Sequence, residues 1–169
     1  MTEIRRATEA DVIGMARVYV QSWQKAYRGL MPDAYLDGLV EAEWAVSYVK
    51  RLGQPGNPQA GVLLEAGKIV GVSSFGAAHD LDLGEEWGEI ISLYLLPECW
   101  ERGLGTALLH WSLSELKKAG YTHCVLWTLQ HNLRARKLYE REAFRRDGET
   151  KMLTIGEDEI REMRYVREI

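Results

Sequence analysis

A chain of 169 residues, 46% apolar and 27% charged, is long enough for one domain with a full hydrophobic core. Its net charge of −4 argues against nucleic acid as the main partner, because such binding starts from an excess of Lys and Arg facing phosphates. No run approaches the roughly 20 apolar residues of a membrane span, and the charged start lacks the apolar stretch of a signal peptide, so no membrane partner and a cytoplasmic location are expected.

Residues 4–7 read as a short first strand. Thr8 and Asp11 stand at capping-box spacing, and Val12, Ala16, Tyr19, Trp23 and Tyr27 then recur at helical spacing on one face. Gly29 and Pro32 interrupt that helix, and a second helical region covers 33–52 with a break near Gly38. Gly and Pro punctuate 53–58, which predicts a surface loop. Residues 62–66 and 69–77, joined by Gly67-Lys68, read as a hairpin. A polar, acidic loop covers 79–86, and residues 89–96 form the next strand. A helix spans 103–119, with Leu109, Leu113 and Leu116 on one stripe and Gly120 at its end. Residues 121–128 are apolar enough for a central strand. A helix at 132–141 and two strands, 145–155 and 159–167, finish the chain. The order predicts a single α/β domain over 1–169 with a mixed sheet.

Metal chemistry is not expected. Cys99 and Cys124 lack C-x-x-C spacing, and His79, His110, His123 and His131 form no H-E-x-x-H.

Two stretches carry chemistry. In the first, a strand ends at Leu93-Tyr94-Leu95-Leu96-Pro97, and Arg102-Gly103-Leu104-Gly105-Thr106 opens a helix. Unpaired N–H groups at a helix start suit a phosphate, and glycines let the backbone approach it. A dinucleotide fingerprint would need Gly or Ala where Leu108 stands, and a P-loop ending is absent. The plainer alternative is that Gly103 and Gly105 only shape a turn. In the second stretch, a buried strand through Trp127 and Thr128 runs into a basic amphipathic helix, Asn132-Leu133-Arg134-Ala135-Arg136-Lys137-Leu138-Tyr139-Glu140.

Together these stretches resemble the coenzyme A signature of the GNAT N-acetyltransferase superfamily: strand–Pro–loop–Gly-x-Gly–helix, then strand–Asn-x-x-Ala-x-x-Leu-Tyr-Glu-x-x-Gly-Phe. The segment from Ser22 to Pro32 is similar to the first helix of many bacterial members. The resemblance implies a mixed, mostly antiparallel central sheet with helices on both faces. It also implies a splayed parallel strand pair, 89–96 and 121–128, that admits the pantetheine arm of acetyl-CoA. Acetyl-CoA would be the co-substrate, with no metal, and a primary amine of a small molecule or of a protein the acceptor.

By the same resemblance, Leu93 and Leu95 would pair with the cofactor arm, the Leu95 amide facing the thioester carbonyl. The amides of Gly103, Leu104, Gly105 and Thr106 would take the pyrophosphate, aided by the side chains of Arg102 and Thr106. Asn132 would fix the acyl end, and Tyr139 would protonate the leaving thiolate; a ring packed on the sheet is the alternative for Tyr139. Glu89 is the candidate base, with His79 behind it. Trp23, Tyr27 and Tyr94 either wall the acceptor pocket or pack in the core. Asp80, Asp82, Glu85 and Glu86 either attract a cation or form a solvated loop.

Departures from the family pattern are Trp100 where Gln or Arg is usual, Glu101 beside the phosphate turn, and Ala143 in place of the Gly that ends the second helix. A homodimer through edge strands is expected at 150–155 or 164–166. The competing reading is a non-catalytic acyl-CoA-binding sensor; Tyr139 and Glu89 favour the enzyme.

Overall fold

The computed structural model describes residues 1–52, 54, 56 and 58–169, so the surface loop expected at 53–58 lies partly outside the described residues. In chain order the elements are β1 (Thr2–Arg6), α1 (Val12–Ala26), α2 (Asp33–Asp37), α3 (Glu41–Arg51), β2 (Gln59–Glu65), β3 (Lys68–Ala77), β4 (Trp87–Leu95), α4 (Leu104–Lys118), β5 (His123–Leu129), α5 (Leu133–Arg141), β6 (Arg145–Ile155) and β7 (Asp158–Glu168). Short 3₁₀ turns, Glu9–Asp11 and Pro97–Cys99, precede α1 and α4. The second helical region divides at Gly38, which caps α2.

Among the described residues, seven strands form one sheet in the order β1-β2-β3-β4-β5-β7-β6. Every neighbouring pair is antiparallel except β4 and β5. Period-two alternation sends neighbouring residues to opposite faces. On one face Ser73 bonds Ser112 of α4 at 2.7 Å, and Gly61 makes room for the Trp111 ring, where a Cβ would meet the ring at 2.2 Å. On the other face Val62 and Val72 join Met15 and Val18 of α1 in the core. Helices therefore cover both faces. No described helix is long and apolar enough to cross a membrane.

Residues 164–166 are not a free edge: β7 pairs with β5 on one side and β6 on the other, so only β1 and β6 flank the sheet. Of the two segments expected to drive dimerisation, only 150–155 in β6 lies at an edge.

The parallel pair is short. Only Trp87, Gly88 and Glu89 pair with His123, Cys124 and Val125. Just beyond, β4 carries one extra residue against β3: Ser74 faces Ser92 and Phe75 faces Ile90, leaving Ile91 unmatched. Such a bulge bends its strand, and β4 and β5 part from that point.

Two local devices set the ends of helices. Asp11 accepts from the Thr8 backbone at 2.8 Å and from Arg5 at 2.7 and 2.9 Å, which ties β1 to the start of α1. The Arg5 hydrogen bonds hold the Asp11 carboxyl at about 2, below its ordinary 3.8. At the end of α5, Phe144 N–H returns to Tyr139 O and Ala143 N–H to Glu140 O, a Schellman closure that puts Ala143 in the left-handed region at φ 65.

Because Asp11 is more acidic folded than unfolded, its stabilisation is complete above the unfolded value of 3.8 and is lost as the pH falls towards about 2. In acid titrations followed by circular dichroism, Asp11→Asn is expected to be less stable at neutral pH and to lose the part of the acid limb that lies in this window. Ala143→Gly should relieve left-handed strain and raise stability by about 1 kcal/mol. That is about 2–4 °C in Tm for a chain of this size, measurable by calorimetry.

Candidate active site

Where β4 and β5 part, a cavity of about 480 Å³ opens between them. Its β4 wall is backbone. The Leu96 N–H donates to Val70 O of β3 at 2.9 Å, so by strand alternation the N–H and C=O of Leu95, and of Leu93 before it, point into the gap. Trp100 Nε1 donates to Leu95 O from that side at 3.0 Å, and the β4–β5 pairing ends at Glu89, so among the described residues no strand pairs with the Leu95 N–H.

One end of the cavity is the start of α4, with Gly103, Gly105 and Thr106 in its wall. Gly103 adopts φ 78 with nothing within 4 Å of a built Cβ, and a Cβ on Gly105 would meet Leu95 and Leu138 only at 3.5 Å. The first-turn amides of α4 are thus exposed to a ligand. Leu104 packs against the core instead of lining the cavity. Arg102 turns away: it gives two hydrogen bonds to Glu65, at 2.8 and 3.0 Å, and does not line the cavity. Thr106 Oγ1 accepts from Arg141 at 3.0 Å. The cationic partners of this end come from α5: Arg134, whose guanidinium lies 3.1 Å over the Trp100 ring, together with Lys137 and Arg141. Glu101, at φ 59, lines the same region.

Midway, α5 presents Asn132 and Tyr139. Asn132 Oδ1 caps the helix by accepting from Ala135 N–H at 3.3 Å, which leaves its amide group to donate into the cavity. Tyr139 is 7% exposed, packs edge-on to Phe144 and has no hydrogen bond from its hydroxyl among the described residues. Burial pushes its phenol well above the ordinary value, so it remains a proton donor at any working pH.

The other end is aromatic and acidic. Trp23 stacks on Tyr19 at 4.8 Å and meets Tyr27 edge-on at 4.8 Å and Tyr94 at 6.1 Å. Trp23, Tyr27 and Tyr94 line the cavity, so their apolar packing and their place in the wall coexist. Among the described residues the buried Trp23 Nε1 atom has no hydrogen-bond partner. Burial pushes Tyr94 up to about 12 although Trp23 and Tyr27 oppose the rise.

Glu89, 8% exposed, lines the cavity at the last parallel pair. Its Oε2 takes both the backbone N–H of His79 at 3.1 Å and its Nδ1 at 2.7 Å. His79 therefore touches the candidate base without lining the cavity itself.

Two features lay beyond the sequence reading. Glu162 of β7 lines the cavity opposite Leu129, and burial raises its pKa against the pull of Lys151 at 3.7 Å. Its only signal is the alternation of β7, which puts 162 and 164 on one face and buries Met163 and Tyr165 on the other. Arg164 binds Asp82 through two bonds of 2.8 Å and Asp147 at 2.7 Å, while Asp80 takes Trp127 Nε1 at 3.0 Å. Asp80 and Asp82 are thus committed to partners within the protein, Asp80 partly buried and Asp82 still solvent-exposed, and they strap the loop that carries His79. No group of three or more His, Cys, Asp or Glu among the described residues is placed to hold a metal.

Comparisons with known proteins show the family to which the chain belongs. The acetyltransferase (GNAT) family model matches residues 20–144. The chain is 30% identical over 135 residues to an uncharacterized N-acetyltransferase, YuaI, of Bacillus subtilis, covering 78% of this chain and 74% of that one. It is 25% identical over 164 residues to a spermidine N(1)-acetyltransferase of Thermoplasma acidophilum, covering 96% and 97%. The fold is similar, at TM-score 0.76 and 20% identity over 96% and 98% of the chains, to the PaiA N-acetyltransferase of Thermoplasma acidophilum in complex with coenzyme A. With an open β4 edge ending at a glycine turn and a family match across most of its length, the chain belongs to the GNAT acetyltransferase family.

Proposed function

We propose that this protein transfers an acetyl group from acetyl-CoA to a primary amine. The observation that carries the reading is the unpaired β4 edge: the free N–H of Leu95 and the hydroxyl of Tyr139 border one gap, with the Glu89 carboxylate at its far end. Backbone donors without a partner are costly unless water or a ligand meets them. An extended amide-bearing arm such as pantetheine satisfies them in the manner of an added strand.

Acetyl-CoA, when bound, supplies an activated acyl group as a thioester. The Gly103–Thr106 turn holds its pyrophosphate, and Leu93, Leu95 and the Asn132 amide hold its arm. An ammonium has no lone pair, so the acceptor must first lose a proton. Glu89 is the base in reach of the cavity, with His79 bonded to its Oε2 as the route to solvent. The Leu95 N–H faces the acyl oxygen as negative charge develops on it. Tyr139 donates its proton to the departing sulfur. Trp23, Tyr27 and Tyr94 form the acceptor wall, beside Glu89 and Glu162. The similarity to a spermidine N(1)-acetyltransferase supports an aliphatic amine among the acceptors to be screened.

Tyr139→Phe keeps the ring and its contact with Phe144. It should preserve Tm and acetyl-CoA affinity while lowering kcat on the order of 10²-fold. Steady-state kinetics with a working amine decide this, and full activity would return Tyr139 to a packing role. A protein that binds coenzyme A but releases no thiol with any amine in a broad panel would instead be a sensor.

A Cβ on Gly105 makes only ordinary contacts within the protein, so Gly105→Ala should fold normally, and the larger Gly105→Val should narrow the turn. Titration calorimetry is expected to show weakened coenzyme A binding that grows with side-chain size, at little cost in Tm. Normal binding by a folded Gly105→Val would exclude this turn as the anion site.

A further inference from the structure

Helix α5 carries Arg134, Lys137 and Arg141 at i, i+3 and i+7, one stripe of its surface. All three line the cavity. The stripe is tied to the loop and first turn of α4 at both ends: Arg134 lies over the Trp100 ring at 3.1 Å, and Arg141 donates to Thr106 Oγ1 at 3.0 Å. Lys137 stands between them.

Two of these three cations have no carboxylate partner among the described residues. Arg5, Arg6, Arg28, Arg102 and Arg164 each have a carboxylate within 3.1 Å. Among the described residues, Arg134 and Lys137 have none at ion-pair distance. The carboxylate nearest Arg141, Glu142 at 3.5 Å, is already bonded to His110 at 2.6 Å. Like charges at i, i+3 and i+4 repel. Three of them on one stripe, in a chain with more acidic than basic residues, mark a surface that an anion completes. Partial burial lowers the pKa of Arg134 against the opposing pull of Tyr27, Glu101 and Tyr139.

We propose that Arg134, Lys137 and Arg141 bind the phosphates of coenzyme A from the α5 side, opposite the amides of the α4 turn. Arg134 then supplies the side-chain charge that Trp100, Glu101 and the turned-away Arg102 do not. Trp100 is its platform. The indole is fixed by its bond to Leu95 O, and a guanidinium lying flat on a ring keeps its N–H edges free for a phosphate oxygen. The assignment rests on the cavity being the coenzyme A site.

Titration calorimetry of the full chain with coenzyme A, at several salt concentrations, tests it. Arg134→Ala, Lys137→Ala and Arg141→Ala should each raise Kd, Arg134→Ala on the order of tenfold. Each should make binding less salt-sensitive, as expected when a phosphate contact is lost. Arg134→Lys should recover part of the affinity. Arg146→Ala, an equal charge change at an exposed position of β6, should leave Kd unchanged. Kd within twofold of wild type in all three stripe variants, or a matching loss in Arg146→Ala, would overturn the proposal while leaving the cofactor site intact. A wild type that binds no coenzyme A would remove both readings together.

Discussion

The whole site depends on one unmatched residue. Ile91 has no partner on β3, and the parallel pairing of β4 with β5 stops two residues earlier, at Glu89. Without that irregularity the β4 edge would continue its ladder, and the Leu93 and Leu95 amides would be consumed by β5. The bulge exchanges a few sheet hydrogen bonds for a strand edge that faces a cavity rather than solvent or another strand. An open edge is ordinarily an aggregation hazard. Here it is sheltered between α1 and α5, so a narrow extended ligand can reach it more readily than a second sheet.

A gap of this kind needs walls that do not close over it, and ion pairs hold several of them. Arg5 and Asp11 fix the start of α1, and Arg6 reaches Glu115 of α4 at 2.8 Å. Arg164 gathers Asp82 and Asp147, which straps the 79–86 loop to β7 and keeps His79 at Glu89. Arg164 is 6% exposed and shares its donors between two carboxylates. A mostly buried cation held this way favours one loop geometry over alternatives, even where its net contribution to stability is modest.

Elements were legible in the sequence wherever they are governed by local pattern. The strand-to-glycine-turn-to-helix passage through 93–106 and the helix from Asn132 are set by periodicity and capping, and their boundaries shift by only a residue or two. Ala143 takes the left-handed conformation that a Gly normally supplies, because the closure of α5 onto Phe144 fixes the turn regardless of its occupant. What could not be read were partnerships across the sheet. The commitment of Arg102 to Glu65 depends on where β2 ends relative to the α4 loop, 37 residues away in sequence. Glu162 enters the cavity through the register of β7 against β5, and the acidic loop is strapped by Arg164, 82 residues from Asp82. Local patterns carry no information about such register.

The placement of charge along the cavity follows from these partnerships and bears on catalysis. At the α4 end, Arg134, Lys137 and Arg141 face a single carboxylate, Glu101; at the other end, Glu89 and Glu162 sit among aromatic rings with Lys151 as counter-charge. On the proposed function, this charge pattern would draw a polyphosphate and a cationic amine to opposite ends of one cleft. The neutral stretch between them holds the Leu95 amide, Asn132 and the protonated Tyr139. Charge that develops in that stretch is met by fixed dipoles, and nearby burial removes the competition from water. Such a polarity would orient two reactants before any chemistry begins. It also gives the Trp100–Arg134 contact its sense: the indole holds a cation at the boundary between the phosphate end and the β4 edge, where the α4 loop itself offers only the negative charge of Glu101.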